Sequence, residues 1–493
     1  MPPLTSSRFA PSSRRAAGAS MPRLNLNAAF DLGLLALALV TLVWSAIYLV
    51  EQAPAEWDKA LLLGVNGLVS IFGFMVALYR VRPIFLVVFF FDFIFFSIGP
   101  MDQLAIFEDP IYGADQLVDL AILLCTAFCL LGLPFVLSRR TVPPSTRGFM
   151  YQSVFDLEFH PLPLFLLAAL LGAALVAFYW PVLLDTREAV DRLLEQTFNK
   201  TETIFLISFL NPLSFIAAFV GWSAARHRHA HGWLIAFAFC LLLAMLANNP
   251  FNFARFRVST LIVFVFLVYF GINRMRLLSV LLIGGTLLSG PLNSFRYDQL
   301  VLEPTAAKWG LFSTMDFHVL NLICYAIKYA NDIGYSYGNN ILSALLFFVP
   351  RAIWEGKSEH ITYYFIDLIR KYRYYGTDNL ASPVVAEGYF AFGIPGAILL
   401  SIAVFYALRA LEKRGLAAPP GSPWHLILCL SPMLTFILLR GAFIVGFSEF
   451  CGHIVAILVA VVLLRMTAGR RHDVGAGDPP HLPARPSASL VPE

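Results

Sequence analysis

A short segment of this sequence concentrates side chains that could bind an anion. Residues 348–365 read FVPRAIWEGKSEHITYYF and place Arg351 and Lys357 among bulky apolar and aromatic residues. A guanidinium donates hydrogen bonds in a fork that fits phosphate or carboxylate, and an ammonium adds a compact positive charge. These residue types predict a binding site for a phosphorylated ligand.

Further cations lie at the ends of apolar segments or, in one case, within a predicted span. They are Arg255 and Arg257 in NNPFNFARFR, Arg296 in LNSFRYDQ, and Arg440 inside the predicted eleventh span. An arginine within a membrane span is costly unless it is paired, and it therefore indicates function. Several arginines around one opening suit a diphosphate. The alternative partners are lipid head groups or one of the acidic residues Asp298, Glu303, Asp316 and Glu355.

Three residues are candidates for acid–base chemistry. Asp316 and His318 begin an amphipathic stretch, and Glu387 lies where the chain re-enters a predicted span. A hydroxyl that attacks an anomeric carbon reacts faster beside a positioned base. The alternatives are exposed polar residues for the first two and a helix N-terminal carboxylate for Glu387. Glu449 and His453, four residues apart, share a helix face and form a further acid–base candidate pair; the alternative is a polar pair that braces neighbouring spans against Arg440.

Aromatic residues near these cations are candidates for sugar binding, because aromatic rings beside polar groups provide platforms for sugar rings. The candidates are Tyr297, Trp354, Tyr374, Tyr375 and Tyr389. The alternative is the belt of aromatic residues that membrane proteins place at the interface with water.

The composition defines the class of fold that must position these side chains. The chain is 58% hydrophobic and 13% charged, whereas soluble domains carry about 25% charged residues. It is therefore predicted to be an all-α polytopic membrane protein. No Walker A loop, GxGxxG, HExxH, DxD or CxxC motif is present, so no metal site, cofactor or nucleotide-driven transport is expected.

About 20 apolar residues cross the roughly 30 Å hydrocarbon layer. On this basis the sequence predicts twelve spans, at 28–50, 60–79, 83–99, 116–138, 161–184, 203–224, 232–248, 258–273, 277–293, 388–410, 424–446 and 447–465. The predicted divisions are a disordered cytoplasmic N-terminus (1–27), helices 1–9 (28–293), a large periplasmic loop (294–387), helices 10–12 (388–465) and a disordered cytoplasmic tail (466–493).

Lysines and arginines in the short loops set the predicted orientation, with both termini in the cytoplasm. The large loop then lies outside, although it is rich in cations. Its segment 317–330 is predicted to form a short helix at the membrane face, and its segment 339–350 a re-entrant or an interfacial helix. The outer segment 185–200 is predicted to form another interfacial helix.

The segment FVPRAIWEGKS, followed by NLASPVVAEGYFAFGIPGAILL (379–400), resembles the Wzy-type O-antigen and oligosaccharide repeat-unit polymerases. The matching residues are Pro350, Arg351, Trp354, Lys357, Ser382, Glu387, Tyr389, Phe392, Gly393 and Gly396. Glu355 and Ser358 stand where the family often has proline, and AEGY replaces GEAY.

The resemblance implies a metal-independent glycosyltransferase of the bacterial inner membrane. Such enzymes move a growing glycan from undecaprenyl diphosphate onto the sugar of another lipid-linked repeat unit at the outer leaflet. That oligosaccharide would be donor and acceptor, and membrane lipids and a chain-length regulator are further candidate partners; no nucleic acid is expected.

The resemblance also implies roles for single residues. Arg351 and Lys357 are the leading candidates for binding the diphosphate. The further candidates are Arg296, Arg255, Arg257 and Arg440. The base would be Glu387, Asp316 or His318. The alternatives are an O-antigen ligase, a flippase for lipid-linked oligosaccharide and a membrane acyltransferase.

Overall fold

A computed structural model describes residues 26–106, 115–138, 161–185, 187–249, 255–293, 317, 319–358, 361, 382–419 and 422–466. Over these residues the regular structure is entirely helical, with no strand. This confirms the prediction of an all-α protein rich in apolar helices.

The described residues form seventeen α-helices, which are numbered in chain order. They are α1 Leu26–Gln52, α2 Trp57–Arg80, α3 Pro83–Phe93, α4 Gly99–Ile106, α5 Asp115–Leu137, α6 Leu162–Tyr179, α7 Arg187–Thr197, α8 Lys200–Phe205, α9 Asn211–His227, α10 His231–Ala247, α11 Arg255–Phe270, α12 Met275–Asn293, α13 Val319–Ile333, α14 Asn339–Leu345, α15 Val384–Ala417, α16 Pro423–Arg440 and α17 Phe443–Met466. π-Helical turns join α3 to α4 (Ile94–Ile98) and α8 to α9 (Leu206–Leu210).

Within the described residues, nine helical segments are long and apolar enough to cross a membrane. Three shorter apolar helices, His231–Ala247, Phe256–Phe270 and Met275–Leu287, overlap the predicted seventh, eighth and ninth spans. The segments coincide with the predicted positions, and they make the chain a membrane protein by length and composition.

Helix α3 occupies the centre of the bundle, and α1 lies at its edge. Every residue of Pro83–Phe93 is buried, whereas only 17% of the apolar window of α1 is buried. The sequence of α3 is apolar on all sides, which is typical of a helix surrounded by other helices. The exposed apolar side chains of α1, such as Leu32 and Trp44, are suited to contact with lipid.

Contacts between helix ends define two sides of the bundle. The near side holds the start of α1, where Asp31 pairs with Arg276 at the start of α12. It also holds the start of α3, where Arg82 pairs with Glu412 near the end of α15. The far side is the opposite one, and it holds the starts of α11, α15 and α17 and the end of α16.

Two predicted interfacial helices are packed more deeply than expected. Helix α13 buries Leu320, Ile323 and Ile327 completely against the protein, so its apolar face contacts other helices instead of lipid. Helix α7 buries Val190 and Leu194 in a small cluster with α6. Helical spacing predicted both apolar faces, but spacing alone does not identify the surface that covers a face.

Two predicted span boundaries are wrong. The predicted span 424–446 instead ends at Arg440, because Gly441 is extended and α17 begins at Phe443. Arg440 therefore lies at a helix end and not inside a span. The predicted start at 388 lies inside α15, which begins at Val384 and is interrupted at Phe392 and Gly393.

Candidate functional site

The short helix α14 is fastened to the far side by one amide side chain. The Asn340 Nδ2 atom donates to the backbone oxygen of Glu387 (3.0 Å) and to its Oε2 atom (2.8 Å). The Ser336 hydroxyl donates to Asn340 Oδ1 at 2.6 Å, which fixes the orientation of the amide. Asn340 thus links α14 to the first turn of α15, and α14 directly precedes the motif segment, defined as FVPRAIWEGKS (348–358).

Glu387 joins three helices at this point. Its Oε1 atom accepts a hydrogen bond from the backbone N–H of Phe443, the first residue of α17, at 3.1 Å. The side chain is only 3% exposed, and both carboxylate oxygens have donors. Negative charge at a helix N-terminus is stabilised by the unpaired N–H groups there. These contacts favour a positioning role for Glu387 over direct proton transfer.

The interruption of α15 shapes the chain beside Glu387. Gly393 has φ +68°, which is readily accessible only to glycine, and Pro395 follows it. A Cβ atom on Gly396 would lie 2.2 Å from the backbone oxygen of Gly388. Eight residues of straight helix span about 12 Å, so the two helical pieces cross closely here. The small residues of AEGYFAFGIPG make this crossing sterically feasible.

Tyr389 follows Gly388 in the chain and packs against the end of α13. Its side chain is 5% exposed, its hydroxyl donates to Asn331 Oδ1 at 3.4 Å, and its ring centroid is 6.1 Å from that of Tyr335. The protein encloses the ring, and these contacts favour packing over the predicted contact with a sugar.

The motif segment after α14 folds around Lys357. The buried ammonium donates to the backbone oxygens of Phe347 (2.7 Å) and Val349 (2.8 Å). Burial lowers the pKa of Lys357, and the nearby charge of Arg351 lowers that pKa further. Two of its three protons are therefore used to close the turn after α14, a role that lysines commonly take near helix C-termini.

Arg351 lies on the outside of the same turn. Its Nη1 atom donates to the backbone oxygen of Lys357 (3.0 Å) and its Nη2 atom to that of Ser358 (3.4 Å). The residue is exposed, and Trp354 beside it is half-buried. The backbone N–H of Ser358 donates to Ser343 Oγ at 2.8 Å, so the turn is also fixed to α14. Arg351 combines a fixed position with access to solvent.

Arg440 ends α16 three residues before Phe443. Its Cζ atom lies 5.8 Å from the ring centroid of Phe95, in the range of a cation–π contact. Phe95 belongs to the π-helical turn after α3 and stacks on Phe317 at 5.2 Å. π-Helical turns occur frequently at functional sites. Arg440 thus lies close in sequence to the N-terminus of α17, and Phe95 stands between it and Phe317, the residue that precedes His318.

Arg257, predicted to bind diphosphate, forms a buried ion pair. Its Nε atom donates to Glu449 Oε1 at 2.7 Å, and the Glu449 side chain is completely buried. The Nδ1 atom of His453 lies 2.7 Å from the backbone oxygen of Glu449. The partner of Glu449 is therefore Arg257 and not Arg440, the partner predicted for its bracing role, and the pair joins α11 to α17. Nothing is described of the side chain of Arg255.

Six predicted site residues lie outside the residues that the structure describes. They are Arg296, Tyr297, Asp316, His318, Tyr374 and Tyr375. Among the described residues, no group of three His, Cys, Asp or Glu side chains is arranged to hold a metal ion.

The sequence reasoning missed Asn340 and Ser336, the polar residues that dock α14. One signal was present, since Gly338, Asn339 and Asn340 stand directly before the apolar residues of α14. Gly338 has φ +83°, as expected for a glycine in a turn. The partner of Asn340 is 47 residues away, so spacing could not identify it.

Comparisons of the chain with protein-family models, with curated proteins and with solved structures find no match. The molecule is thus defined by its own architecture: an all-α membrane protein whose far side carries Arg351, Arg440 and the N-termini of α15 and α17.

Proposed function

We propose that this chain is a membrane polymerase of lipid-linked oligosaccharides. It transfers a growing glycan from an undecaprenyl diphosphate carrier to the sugar of a second lipid-linked repeat unit, at the outer leaflet of the bacterial inner membrane. The far side would face outward, and both termini would lie in the cytoplasm. The motif resemblance and the contacts of the motif segment support this proposal.

One observation carries the proposal: the motif segment is held against the helix ends of the far side. Ser358 is fixed to α14, Asn340 of α14 to Glu387, and Glu387 to the first N–H of α17. Arg440 precedes that N–H by three residues. Cations at such helix ends stabilise the negative charge that develops on a leaving diphosphate.

The reaction forms one glycosidic bond and breaks one sugar–phosphate bond. An acceptor hydroxyl attacks the anomeric carbon of the donor, and the diphosphate leaves with the bonding electron pair. Arg351 and Arg440 stabilise the negative charge that develops on the diphosphate. The hydroxyl proton passes to a base, for which Asp316 and His318 are the candidates. Lys357 and Glu387 position the segment that carries Arg351.

A flippase for the same lipid-linked sugar is the second candidate, favoured by Asp92. This carboxyl is completely buried in α3, close to Cys129. Ionisable residues inside membranes often mark transport or proton pathways. Transfer of labelled substrate across vesicles without new glycosidic bonds would favour the flippase.

The test uses purified full-length protein in vesicles with one lipid-diphosphate-linked repeat unit. We expect a ladder of multiples on a gel, and we expect Arg351→Ala to reduce polymer about 100-fold or more, as loss of one transition-state donor does. The matched control is Lys328→Ala, since Lys328 pairs with Asp332 on α13, within the same predicted loop. The control should retain the ladder.

Two results would contradict the proposal. If Arg351→Ala made full-length polymer at the normal rate, Arg351 would have no role in binding the diphosphate. A wild-type protein that binds its natural repeat unit but joins no units would exclude the polymerase. Unchanged thermal unfolding of Arg351→Ala separates a loss of chemistry from a loss of fold.

A further inference from the structure

Helix α14 carries apolar side chains on the face that points away from the protein. Leu342 and Leu345 are 48% and 44% exposed, and Phe348, in the turn that follows the helix, is 62% exposed. Residues three apart lie on one side of a helix, so these three side chains form one surface, the outer face of α14. Exposed apolar surfaces of this kind mark contact with a membrane or a partner.

The inner face of the same helix is polar. Asn340 is buried and binds the carboxylate of Glu387. Ser343 is also buried, and its hydroxyl accepts the backbone N–H of Ser358. A surface helix of a protein in water has the reverse pattern, with apolar residues inside and polar residues toward solvent. Polar contacts between helices and apolar side chains turned outward are typical of a helix in lipid.

The turn after α14 satisfies backbone oxygens from within the protein. The oxygens of Phe347 and Val349 accept the ammonium protons of Lys357 at 2.7 and 2.8 Å. The oxygen of Gly356 accepts a hydrogen bond from Asn339 Nδ2 at 3.0 Å. Water satisfies such oxygens on an aqueous surface, whereas a segment against hydrocarbon needs partners within the protein. These internal partners therefore allow the turn to lie at the boundary of the hydrocarbon layer.

The outer face adjoins the exposed apolar surface of α15. Because Asn340 binds Glu387 in the first turn of α15, α14 lies level with one end of a helix that is long and apolar enough to cross a membrane. The ring of Phe392 lies against Gly338, the residue before α14, where an added Cβ atom would be 2.9 Å from Phe392 Cζ. Phe392 and Ile394 are themselves about half exposed. The exposed apolar surface therefore extends from α15 to α14.

We propose that the far-side leaflet of the membrane covers the outer face of α14, with Leu342, Leu345 and Phe348 among the acyl chains. The leaflet is the occupant because the outer face continues the apolar surface of a membrane-spanning helix and because the turn beside it needs no water. This inference is independent of the proposed function, since it requires only a membrane.

The same placement sets the depth of Arg351. This residue follows Phe348 by three positions and is exposed. An arginine reaches from apolar surroundings toward charged head groups, so its guanidinium lies level with the lipid phosphates. A phosphorylated head group is then within reach of Arg351 while its lipid stays in the membrane.

The experiment places the photo-crosslinking residue p-benzoylphenylalanine at single positions of the full-length protein. The protein is purified and held in vesicles of phosphatidylethanolamine and phosphatidylglycerol. In place of Leu345, illumination should attach phospholipid through its acyl chains, as located by fragment mass spectrometry. In place of Arg351, the attachment should fall on the glycerol or the head group.

Two matched positions calibrate the attachment. Leu399 of α15 is 65% exposed within a membrane-spanning helix, and the crosslinker there should attach lipid to a similar extent as at Leu345. Asp332 at the end of α13 pairs with Lys328 and is about half exposed, so the crosslinker there should attach at least tenfold less lipid. All three positions are exposed, and an unchanged thermal unfolding midpoint checks that each variant folds.

Four results would overturn the inference. A crosslinked dimer formed through Leu345 would make the outer face an interface between two copies of this chain. Attachment to a peptide of the same chain would show that another segment covers the face. Lipid attachment at Leu345 no greater than at Asp332 would place the face in water. Attachment at Arg351 to acyl chains, or to no lipid, would contradict its depth. No substrate is added, so each of these results leaves the proposed function to its own test.

Discussion

The two buried glutamates of α15 stand at opposite sides of the bundle and have different partners. On the near side, Glu412 pairs with Arg82 (3.3 Å) and accepts the backbone N–H of Ile84 at the start of α3. On the far side, Glu387 accepts the backbone N–H of Phe443 at the start of α17. Each carboxylate thus stabilises the N-terminus of another helix.

The two glutamates differ in the side chain that forms their second contact. Glu412 is neutralised by an arginine that also binds the backbone oxygens of Phe135 and Ser138 at the end of α5. The second donor to Glu387 is the neutral amide of Asn340, and no ion pair to Glu387 occurs among the described residues. The near-side carboxylate is thus paired with a cation, whereas the far-side carboxylate is held by a neutral amide and a backbone N–H.

Replacing each glutamate by glutamine should separate a role in stability from a role in activity. Of the substitutions considered, Glu412→Gln should lower stability most. It leaves the buried Arg82 guanidinium without its ionic partner, and breaking a buried pair in this way costs about 3–5 kcal/mol. We expect a large decrease in the thermal unfolding midpoint in detergent. Polymer made per folded molecule should stay close to normal. Glu51→Ala, at an exposed position on α1, is the control and should leave the midpoint unchanged.

Glu387→Gln should have a smaller effect on stability and a larger one on activity. The substitution presents an amide to the Asn340 amide, which costs about 1–3 kcal/mol for an imperfectly paired buried group. Because Glu387 docks α14, polymer made per folded molecule should decrease strongly. Equal losses of stability for Glu387→Gln and Glu412→Gln would remove the distinction between the two sides.

Breaking the Asp31–Arg276 pair should lower stability least. These side chains are 26% and 41% exposed, and exposed ion pairs contribute about 0–1 kcal/mol. Asp31→Asn should therefore lower the unfolding midpoint only slightly, and high salt should reduce the difference from wild type. A loss as large as that of Glu412→Gln would mean that α12 depends on this pair for its attachment.

The sequence determined the class and the main elements of the protein. Apolar runs of about 20 residues must satisfy their backbone hydrogen bonds internally in lipid, and helices do so without distant partners. For this reason α1, α2 and α5 lie where the apolar pattern predicts them. The sequence also indicated that Glu387 begins a helix and that the cations around Arg351 form a distinct segment.

Tertiary structure decided which polar groups meet. Lys357 and Arg351 look equivalent in the sequence, but one closes a turn with its ammonium while the other remains exposed. Arg257 pairs with Glu449, 192 residues away, and Glu387 receives an N–H from Phe443. Apolar spacing shows which face of a helix is buried, but it does not identify the helix that packs against that face. Only the packing of α11, α15 and α17 settles whether a cation becomes a structural partner or stays accessible to a substrate.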